Sequence, residues 1–299
     1  MLTVCIPIYN YDSIRLISDL TKQANTLDCP IEILVINDGS SQRFDALYHN
    51  LPSARVRYIS LPENIGRTRV RNLFITYSQY DYLLFLDCDD KLISDHYLKQ
   101  CFLQMSLGCE VVCGGIKYQK IFPGLNWSLH WNYETKKEKE LIKRRMKSPY
   151  EAFISNNFLI RKDILSKIKF NEALRQYGHE DTLFGYELQK AGIGIKYINN
   201  PVLHEHLNDN ITFLKKTEMA TKNLVAILNS NQDKEFINSI YLLKIYFRLR
   251  SIGIIFLLRP FESRIARFCY KKLLAGSAKL AYLNLYKLCL FSKYYRSRN

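Results

Sequence analysis

The first hundred residues alternate between short apolar runs and segments with helical spacing. The runs that predict strands are residues 2–8, 31–36, 56–61 and 82–86, and the segments that predict helices are 11–23, 44–48 and 67–77. Strands that are apolar along their whole length are typical of a parallel sheet covered by helices on both faces. We therefore predict an α/β fold, in which ligands bind beyond the carboxyl ends of the strands.

The rest of the chain is less regular up to residue 208 and helical after it. Further strands are predicted at 110–118, 158–161 and 193–198, and a helix at 181–191. Residues 119–148 form an aromatic and then basic excursion, whose charge run is typical of a solvated helix face. We predict two domains, a motif-bearing domain over 1–209 and a helical region over 210–299.

Charge separates the two parts. The chain has 299 residues and a formal net charge of +15, and the segment from Phe236 onward holds 13 basic residues against one acid, Glu262. Aromatic residues alternate with these basic ones, which suits the surface of an anionic membrane. A solvated basic helical bundle is the alternative. No nucleic-acid-binding motif is visible, so no nucleic acid partner is expected.

Composition narrows the class of protein. Hydrophobic residues make up 47% of the chain, which excludes a disordered protein, and the eight cysteines show no metal-binding spacing. There is no secretory signal pattern, and no uncharged apolar run approaches the roughly 20 residues that a membrane span needs. We expect a cytoplasmic protein with free thiols.

An acidic motif follows the strand predicted at 82–86. Asp87, Asp89 and Asp90 lie within four residues, where their charges repel one another. Hard divalent cations such as Mg²⁺ and Mn²⁺ bind carboxylate oxygens and would compensate this charge. The alternative is an acidic helix N-cap, with Asp90 capping a helix that begins near Ser94.

Two further motifs lie near predicted strand ends. Asp38 ends a strand before Gly-Ser, where its carboxylate could accept an N–H from a nucleobase or form an Asx-turn. Asn64 and Gly66 precede a helix on which Arg67 and Arg71 share one face. A helix N-terminus with an arginine is suited to a diphosphate, although the glycine pattern alone does not define a nucleotide loop.

A last pair of motifs lies beyond residue 170. Glu180 and Asp181 stand at a predicted helix start, as first-turn acids or as a positioning carboxylate and a general base. His204 follows a strand, where a histidine is more often structural than a metal ligand.

The order and spacing of these motifs resemble those of the family 2 glycosyltransferases, inverting enzymes of bacterial type with the GT-A fold. The resemblance extends from residue 1 to about residue 206 and rests on Pro7-Ile-Tyr-Asn10, Asn-Asp38-Gly-Ser, Asn64-x-Gly66, Arg71-Asn72, Asp87-x-Asp89-Asp90 and Glu180-Asp181. Val70 departs from the alanine that is common in the family. The resemblance implies a Rossmann-like, mixed and mainly parallel sheet with helices on both faces, to which the sequence pattern adds a basic helical extension at the C-terminus.

The resemblance also implies roles for individual residues. Those implied to bind the nucleotide-sugar are Pro7, Tyr9, Asn10, Asp38, Asn64, Gly66, Arg71 and Asp87. Asp89 and Asp87 would bind Mn²⁺ or Mg²⁺, with His204 as a further ligand. Asp181 would be the general base, with Glu180 supporting it.

The resulting hypothesis is a metal-dependent inverting transfer of a sugar from a nucleotide-diphospho-sugar, a UDP-sugar by preference. The acceptor would be a hydroxyl of a glycan or a lipid-linked molecule in surface polysaccharide synthesis. The C-terminal region would hold the protein at the inner face of the plasma membrane. Two alternatives stay open: a nucleotidyltransferase that makes a nucleotide-sugar, and a non-catalytic module that binds a membrane or a polymer.

Overall fold

The structure, a computed structural model, describes residues 1–49, 51, 54–174, 177–230, 233–277 and 279–296. The strands are β1 (Leu2–Ile8), β2 (Ile31–Asn37), β3 (Val56–Ser60), β4 (Tyr82–Phe85), β5 (Asp90–Leu92), β6 (Val111–Cys113), β7 (Ile116–Tyr118), β8 (Phe158–Arg161), β9 (Ile195–Tyr197) and β10 (Val202–His204). The α-helices are α1 (Ile14–Asn25), α2 (Gln42–Asp45), α3 (Arg67–Tyr77), α4 (Tyr97–Ser106), α5 (Ser128–Lys147), α6 (Lys162–Lys167), α7 (Glu180–Lys190), α8 (Asn210–Ser230), α9 (Lys234–Ser239), α10 (Tyr241–Ser251), α11 (Ile254–Leu258), α12 (Glu262–Leu274) and α13 (Leu280–Arg296).

Seven strands form one mixed, mainly parallel sheet in the order β3-β2-β1-β4-β8-β6-β9. β1 pairs in parallel with β2 and β4, and β2 pairs in parallel with β3. β8 runs antiparallel to its neighbours β4 and β6. The carboxyl ends of β1, β2, β3 and β4 therefore lie at one edge of the sheet, and the predicted fold class is confirmed.

Both faces of this sheet are buried, as the uninterrupted apolar strands predict. Along β1, Val4 and Ile6 face a layer that includes Leu20 of α1, whereas Cys5 faces a layer that includes Phe74 of α3. This alternation follows from the period of two along a strand. Both sides of β1 and β2 therefore lie in the core, which fixes where the loops at their carboxyl ends begin.

The single strand predicted at 110–118 is wrong. The segment forms two short strands: β6 belongs to the seven-stranded sheet, and β7 belongs to a small sheet of the order β5-β10-β7. The change of sheet comes at Gly114-Gly115, where Gly115 has a φ of +94°, a conformation that side-chain-bearing residues rarely adopt. Both halves of the segment are apolar, so the hydrophobic pattern does not reveal the break.

The chain groups into two compact units. The first unit is Met1–Gln119, Arg144–Arg175 and Glu180–His206, and the second is Lys120–Lys143, Gln176–His179 and Leu207–Asn299. In the second unit Leu129 of α5 packs in one core with Phe213 of α8, Leu273 of α12 and Leu290 of α13. The second unit thus contains Lys120–Lys143, which belong to the 119–148 excursion. The predicted division of the chain at residue 209 places these residues in the first domain.

Two sequence-based expectations concern the surface and the thiols. The charge run of the 119–148 excursion lies on α5, and most of its described side chains are exposed, as expected for a solvated helix face. All eight cysteines are free thiols. Among the described residues, no helix has both the length and the apolar character required to span a bilayer.

Candidate active site

The loops that follow β1 and β2 hold each other at the carboxyl edge of the sheet. Pro7 lies within β1 beside Ile36 of β2, and Tyr9 is exposed directly after the strand. Asn10 has a left-handed backbone, donates its backbone N–H to the Ser40 hydroxyl at 2.8 Å, and accepts the Ser41 N–H at 2.9 Å. The predicted residues Pro7, Tyr9 and Asn10 therefore border the turn that carries Asp38.

The carboxylate of Asp38 holds the loop before α3. Its Oδ1 accepts the Ile65 N–H at 2.7 Å and its Oδ2 accepts the Gly66 N–H at 3.1 Å. Its backbone carbonyl accepts the side-chain amide of Asn64 at 3.1 Å. Burial raises the pKa of Asp38, and the two backbone hydrogen bonds oppose that rise. The structure thus brings Asp38, Asn64 and Gly66 together, while binding of a nucleobase by Asp38 stays a prediction.

Glycines make this close approach of two loops possible. Gly39 has a φ of +67°, and a Cβ there would lie 2.3 Å from the carbonyl carbon of Glu63. Any side chain at position 39 must therefore displace the loop that Asp38 holds. Gly66 precedes α3 with a φ of +93°, and a Cβ there would meet no heavy atom within 4 Å. The requirement for glycine at position 66 thus comes from its backbone conformation and not from a lack of space for a side chain.

Sequence reasoning missed a polar network beside Asp38. Asp45 accepts hydrogen bonds from the side chains of Asn37, Ser60 and Tyr58, of which Asn37 is at 2.7 Å and Ser60 at 2.6 Å. The bonds from Ser60 and Tyr58 lower the pKa of Asp45 to about 2. Asn37 also accepts the Ser40 N–H at 2.9 Å, so the network fixes the turn. Its one sequence signal is a polar residue, Asn37, that ends a buried strand.

A buried tyrosine was missed as well. The Tyr48 hydroxyl donates to the Tyr11 carbonyl at 2.7 Å and accepts the Ser13 N–H at 2.8 Å. The Ser13 hydroxyl then donates to the Cys88 carbonyl at 3.0 Å. Tyr48 thereby connects the loop after β1 to the acidic loop after β4.

Asp87 is paired with a buried arginine. The Arg71 Nη2 lies 2.7 Å from Asp87 Oδ1, and the Arg71 side chain is 3% exposed. Burial acts to raise the pKa of Asp87, but Arg71 and Arg67 outweigh it and lower the pKa. The side-chain amide of Asn156, a residue that sequence reasoning missed, donates to Asp87 at 3.3 Å. Arg71 therefore acts on Asp87, and direct contact of Arg71 with a diphosphate stays a prediction.

The other two acids of the motif meet His204. The His204 Nε2 lies 3.4 Å from Asp89 Oδ2, and its Nδ1 lies 3.3 Å from Asp90 Oδ1. One ligand atom from each of the three residues lies within 4.8 Å of the other two. The structure thus brings together two of the predicted metal ligands, Asp89 and His204, and adds Asp90, whereas Asp87 lies against Arg71.

Asp90 is not a helix cap. It is buried as the first residue of β5, it accepts the Asp87 N–H at 2.9 Å, and α4 begins only at Tyr97. Burial raises the pKa of Asp90 to about 7. Burial opposes protonation of His204, yet Asp90 and Asp89 raise the pKa of His204 to about 9. Two carboxylates and one imidazole form a donor set that fits a divalent cation.

The two acids that begin α7 have different partners. Glu180 is buried, and its Oε1 lies 3.3 Å from the Arg67 Nη1. Asp181 accepts a hydrogen bond from Ser155, but its Oδ1 has no hydrogen-bond partner among the described residues. Burial and the neighbouring Glu180 charge raise the pKa of Asp181. One acid is therefore held by an ion pair, and the other has a buried oxygen without a hydrogen-bond partner among the described residues.

Helix α3 links the two acidic groups. Arg67 and Arg71 lie one turn apart on it, as the sequence predicted, and they pair with Glu180 and Asp87 respectively. Pairing of two carboxylates by one helix fixes the loop after β4 relative to the start of α7.

A cavity of about 110 Å³ adjoins Asp89 and Asp90 on the side of α1.

Comparison with known proteins assigns the chain to a family. The model of the family described as Glycosyl transferase family 2 matches residues 3–169, which is more than half of the chain. The chain belongs to glycosyl transferase family 2. It is a glycosyltransferase with the GT-A fold, so the family that the motifs resemble is confirmed.

Curated relatives of this family 2 chain include an uncharacterized glycosyltransferase of Haemophilus influenzae, 20% identical over 85% of the chain and 91% of that protein. A chondroitin synthase of Pasteurella multocida is 24% identical over 66% of the chain, and the match covers 24% of the synthase. A teichoic acid poly(glycerol phosphate) polymerase of Staphylococcus epidermidis is 31% identical over 31% of the chain and 13% of the polymerase.

Solved structures share the fold of the family 2 chain at low sequence identity. Residues 1–349 of S. aureus TarS, solved in complex with UDP-GlcNAc, give a TM-score of 0.51 at 17% identity, over 99% of this chain and 89% of that one. A mannosyltransferase of Pyrobaculum calidifontis, solved with GDP-Man and Mn²⁺, gives a TM-score of 0.60 at 11% identity, over 100% and 86%.

Proposed function

We propose that this family 2 glycosyltransferase moves a sugar, with inversion, from a nucleotide-diphospho-sugar to a hydroxyl of a glycan or lipid-linked acceptor. The observation that carries the proposal is the pair at the start of α7, where Glu180 is bound by Arg67 and Asp181 keeps an unpartnered oxygen. The ligands named with the solved relatives, UDP-GlcNAc and GDP-Man, support a nucleotide-sugar donor. We favour a UDP-sugar.

Asp181 is the proposed general base. As the acceptor oxygen bonds to the anomeric carbon of the donor, Asp181 takes the hydroxyl proton. The bond from the anomeric carbon to the diphosphate breaks, and the nucleoside diphosphate leaves with the electron pair. Burial and Glu180 raise the pKa of Asp181, which makes it a stronger base than a solvated aspartate. Ser155 donates a hydrogen bond to Asp181, and Glu180, itself bound by Arg67, supports its basicity through its charge.

The metal site of the proposal consists of Asp89, Asp90 and His204. A divalent cation held there would supply positive charge near the leaving diphosphate. Arg71 neutralises Asp87 and keeps that carboxylate in place for the donor ribose. Asp38, Asn64 and Gly66 shape the backbone around the base.

The proposal is tested with Asp181→Asn, which keeps the size of the side chain and removes its basicity. Turnover should fall at least about 10²-fold, because general-base catalysis contributes about 10²–10⁴-fold. The affinity for the nucleoside diphosphate, measured by calorimetry, should change less than threefold. The matched control is Asp163→Asn, an exposed aspartate of α6 that pairs with Arg161. Full activity of Asp181→Asn would remove it from the role, and release of inorganic diphosphate would indicate nucleotidyl transfer instead.

We further propose a role in bacterial surface polysaccharide synthesis at the cytoplasmic face of the plasma membrane. The names of the curated relatives, a chondroitin synthase and a teichoic acid polymerase, support a polymer product. The excess of basic residues after Phe236 supports attachment to anionic lipid.

A further inference from the structure

Large apolar side chains are exposed together in the second unit, where α10 gives way to α12. Ile252, Phe256, Leu257 and Phe261 have exposed fractions of 63%, 49%, 75% and 52%. A single exposed apolar residue is ordinary on a protein surface, but four within ten residues indicate an interaction site. We call residues 252–261 the apolar tip.

The apolar tip is fixed in place. Gly253 has a φ of +78° and allows a sharp change of direction between α10 and the short α11. Ile255, in the middle of the tip, is buried, whereas its neighbours Phe256 and Leu257 point outward. The tip is thus anchored by one side chain and presents the others to solvent.

Basic residues flank the apolar tip along the chain. Arg248 and Arg250 precede it with exposed side chains, and the Arg259 guanidinium lies 4.3 Å from the centre of the Phe256 ring. Glu262 is the one acid between Phe236 and the end of the chain. It is buried, accepts a hydrogen bond from the Ser292 hydroxyl and pairs with Arg296. The exposed charges of the described residues from 236 to 296 are therefore all positive, whereas α9, which packs against α10, carries the exposed acid Glu235.

The outer face of α12 continues this pattern. Arg264, Phe268 and Lys271 are exposed at a spacing of four and three residues, so they lie on one side of the helix. The Lys272 ammonium lies 5.7 Å from the centre of the Phe268 ring. The inner face carries Cys269 and Leu273, which are in the core of the second unit.

We propose that the apolar tip inserts into the interfacial layer of an anionic lipid bilayer, while the arginines and lysines around it bind lipid phosphates. Exposed aliphatic side chains such as Ile252 and Leu257 fit hydrocarbon and offer nothing to a nucleic acid, which binds basic and aromatic groups. Insertion of the tip would serve to hold the enzyme at a lipid-linked acceptor, and this part of the proposal rests on the proposed function. Its chemistry does not depend on catalysis.

The test is flotation of the full chain with vesicles of phosphatidylcholine that contain 30% phosphatidylglycerol. The double variant Phe256→Ser/Leu257→Ser should lower the bound fraction at least tenfold. Leu103→Ser/Leu107→Ser, two exposed leucines at the end of α4 in the first unit, is the matched control and should bind like the unchanged chain. Thermal unfolding of each variant verifies that it is folded.

A second variant separates insertion from charge. Arg264→Glu/Arg267→Glu reverses two exposed charges on α12 and should also lower binding, whereas vesicles of phosphatidylcholine alone should bind little of any variant. Unchanged binding of the Phe256→Ser/Leu257→Ser variant would overturn the proposal. Binding of an RNA or DNA oligonucleotide in place of vesicles would overturn it in favour of a nucleic acid surface.

The nucleoside diphosphate affinity of the vesicle-binding variants separates this proposal from the proposed function. Unchanged affinity in a variant that no longer floats supports the membrane contact independently of catalysis. If the chain binds vesicles but no nucleotide, the proposed function fails and the membrane proposal stands.

Discussion

Two parts of the carboxyl edge of the sheet hold their acids under different conditions, and we call them the β2 edge, which follows β2, and the β4 edge, which follows β4. At the β2 edge, Asp38 accepts hydrogen bonds from backbone amides and Asp45 accepts them from side chains, and the pKa of Asp45 is lowered to about 2. After β4, Asp87, Asp89 and Asp90 crowd together, and burial raises the pKa of Asp90 to about 7. The charged form is thus favoured at Asp45 of the β2 edge and disfavoured at Asp90 of the β4 edge.

The difference supports the proposal that the acids at the β4 edge bind a cation, whereas those at the β2 edge hold the backbone. Backbone amides bind Asp38, and hydroxyls, an amide and the His49 imidazole bind Asp45, so these acids hold the turn and the loop before α3. Among the described residues, the three acids after β4 face Arg71, His204 and the amide of Asn156. This leaves buried negative charge that a divalent cation would compensate. Acids in a cleft whose pKa values are perturbed by burial and by neighbouring charges are candidates for a binding or catalytic role.

The largest expected effect comes from the β4 edge. Asp89→Asn removes a proposed metal ligand and should lower turnover at least about 10⁴-fold, since a metal ion contributes several kcal/mol to transition-state stability. The unchanged protein should show a rise in melting temperature with Mn²⁺, and Asp89→Asn should abolish that rise. The metal-free variant should melt no lower than the unchanged protein, because one buried charge is gone.

The matched control for Asp89→Asn is Asp95→Asn, an exposed acid just beyond β5. It should leave the turnover and the Mn²⁺ response intact. A variant at Asp89 that still responds to Mn²⁺ would contradict the assignment of the cluster as a metal site, and with it the contrast between the two edges.

A smaller effect, on stability, is expected from Arg71→Met. The substitution leaves Asp87 buried without its guanidinium, and loss of one partner of a buried ion pair costs about 3–5 kcal/mol. Urea unfolding measures this difference. Arg69→Met is the matched control on the same helix, since Arg69 is 40% exposed and lies 3.9 Å from Glu172.

A double variant shows that the loss comes from the unpaired charge. Arg71→Met/Asp87→Asn should recover part of the stability, because no charge then stays buried without a partner. If the double variant is as unstable as the sum of the single ones, Arg71 stabilises the protein by packing on Phe170 instead.

The sequence predicted the sheet because its apolar strands and helical periods are long and regular. It also placed the motifs at the strand ends, since the carboxyl ends of parallel strands share one edge. It could not separate Asp87 from Asp90, because partners such as Asn156 and His204 lie more than 60 residues away along the chain. The network around Asp45 was likewise invisible, since it depends on β3 lying beside β2.

The smallest effect is expected at the β2 edge. Asp89→Asn should not destabilise the metal-free protein, whereas a substitution of Asp45 should. Asp45→Asn removes a carboxylate that is more stable in the folded protein, and should cost about 1–2 kcal/mol at pH 7. The folded-state pKa of about 2 lies below the value of about 3.9 for an unfolded chain, so this contribution is present above pH 4. It is lost as the pH falls from about 4 to about 2.

Unfolding in urea at pH 7, 4 and 3 measures this prediction. The stability difference between the unchanged protein and Asp45→Asn should shrink as the pH falls through that range. Asp28→Asn, at an exposed aspartate, is the control and should show no difference at any pH. A difference that stays constant with pH would mean that the geometry of the Asp45 hydrogen bonds matters and its charge does not. The β2 edge would then stabilise the fold through hydrogen-bond geometry alone, and only the β4 edge would depend on the charge of its acids.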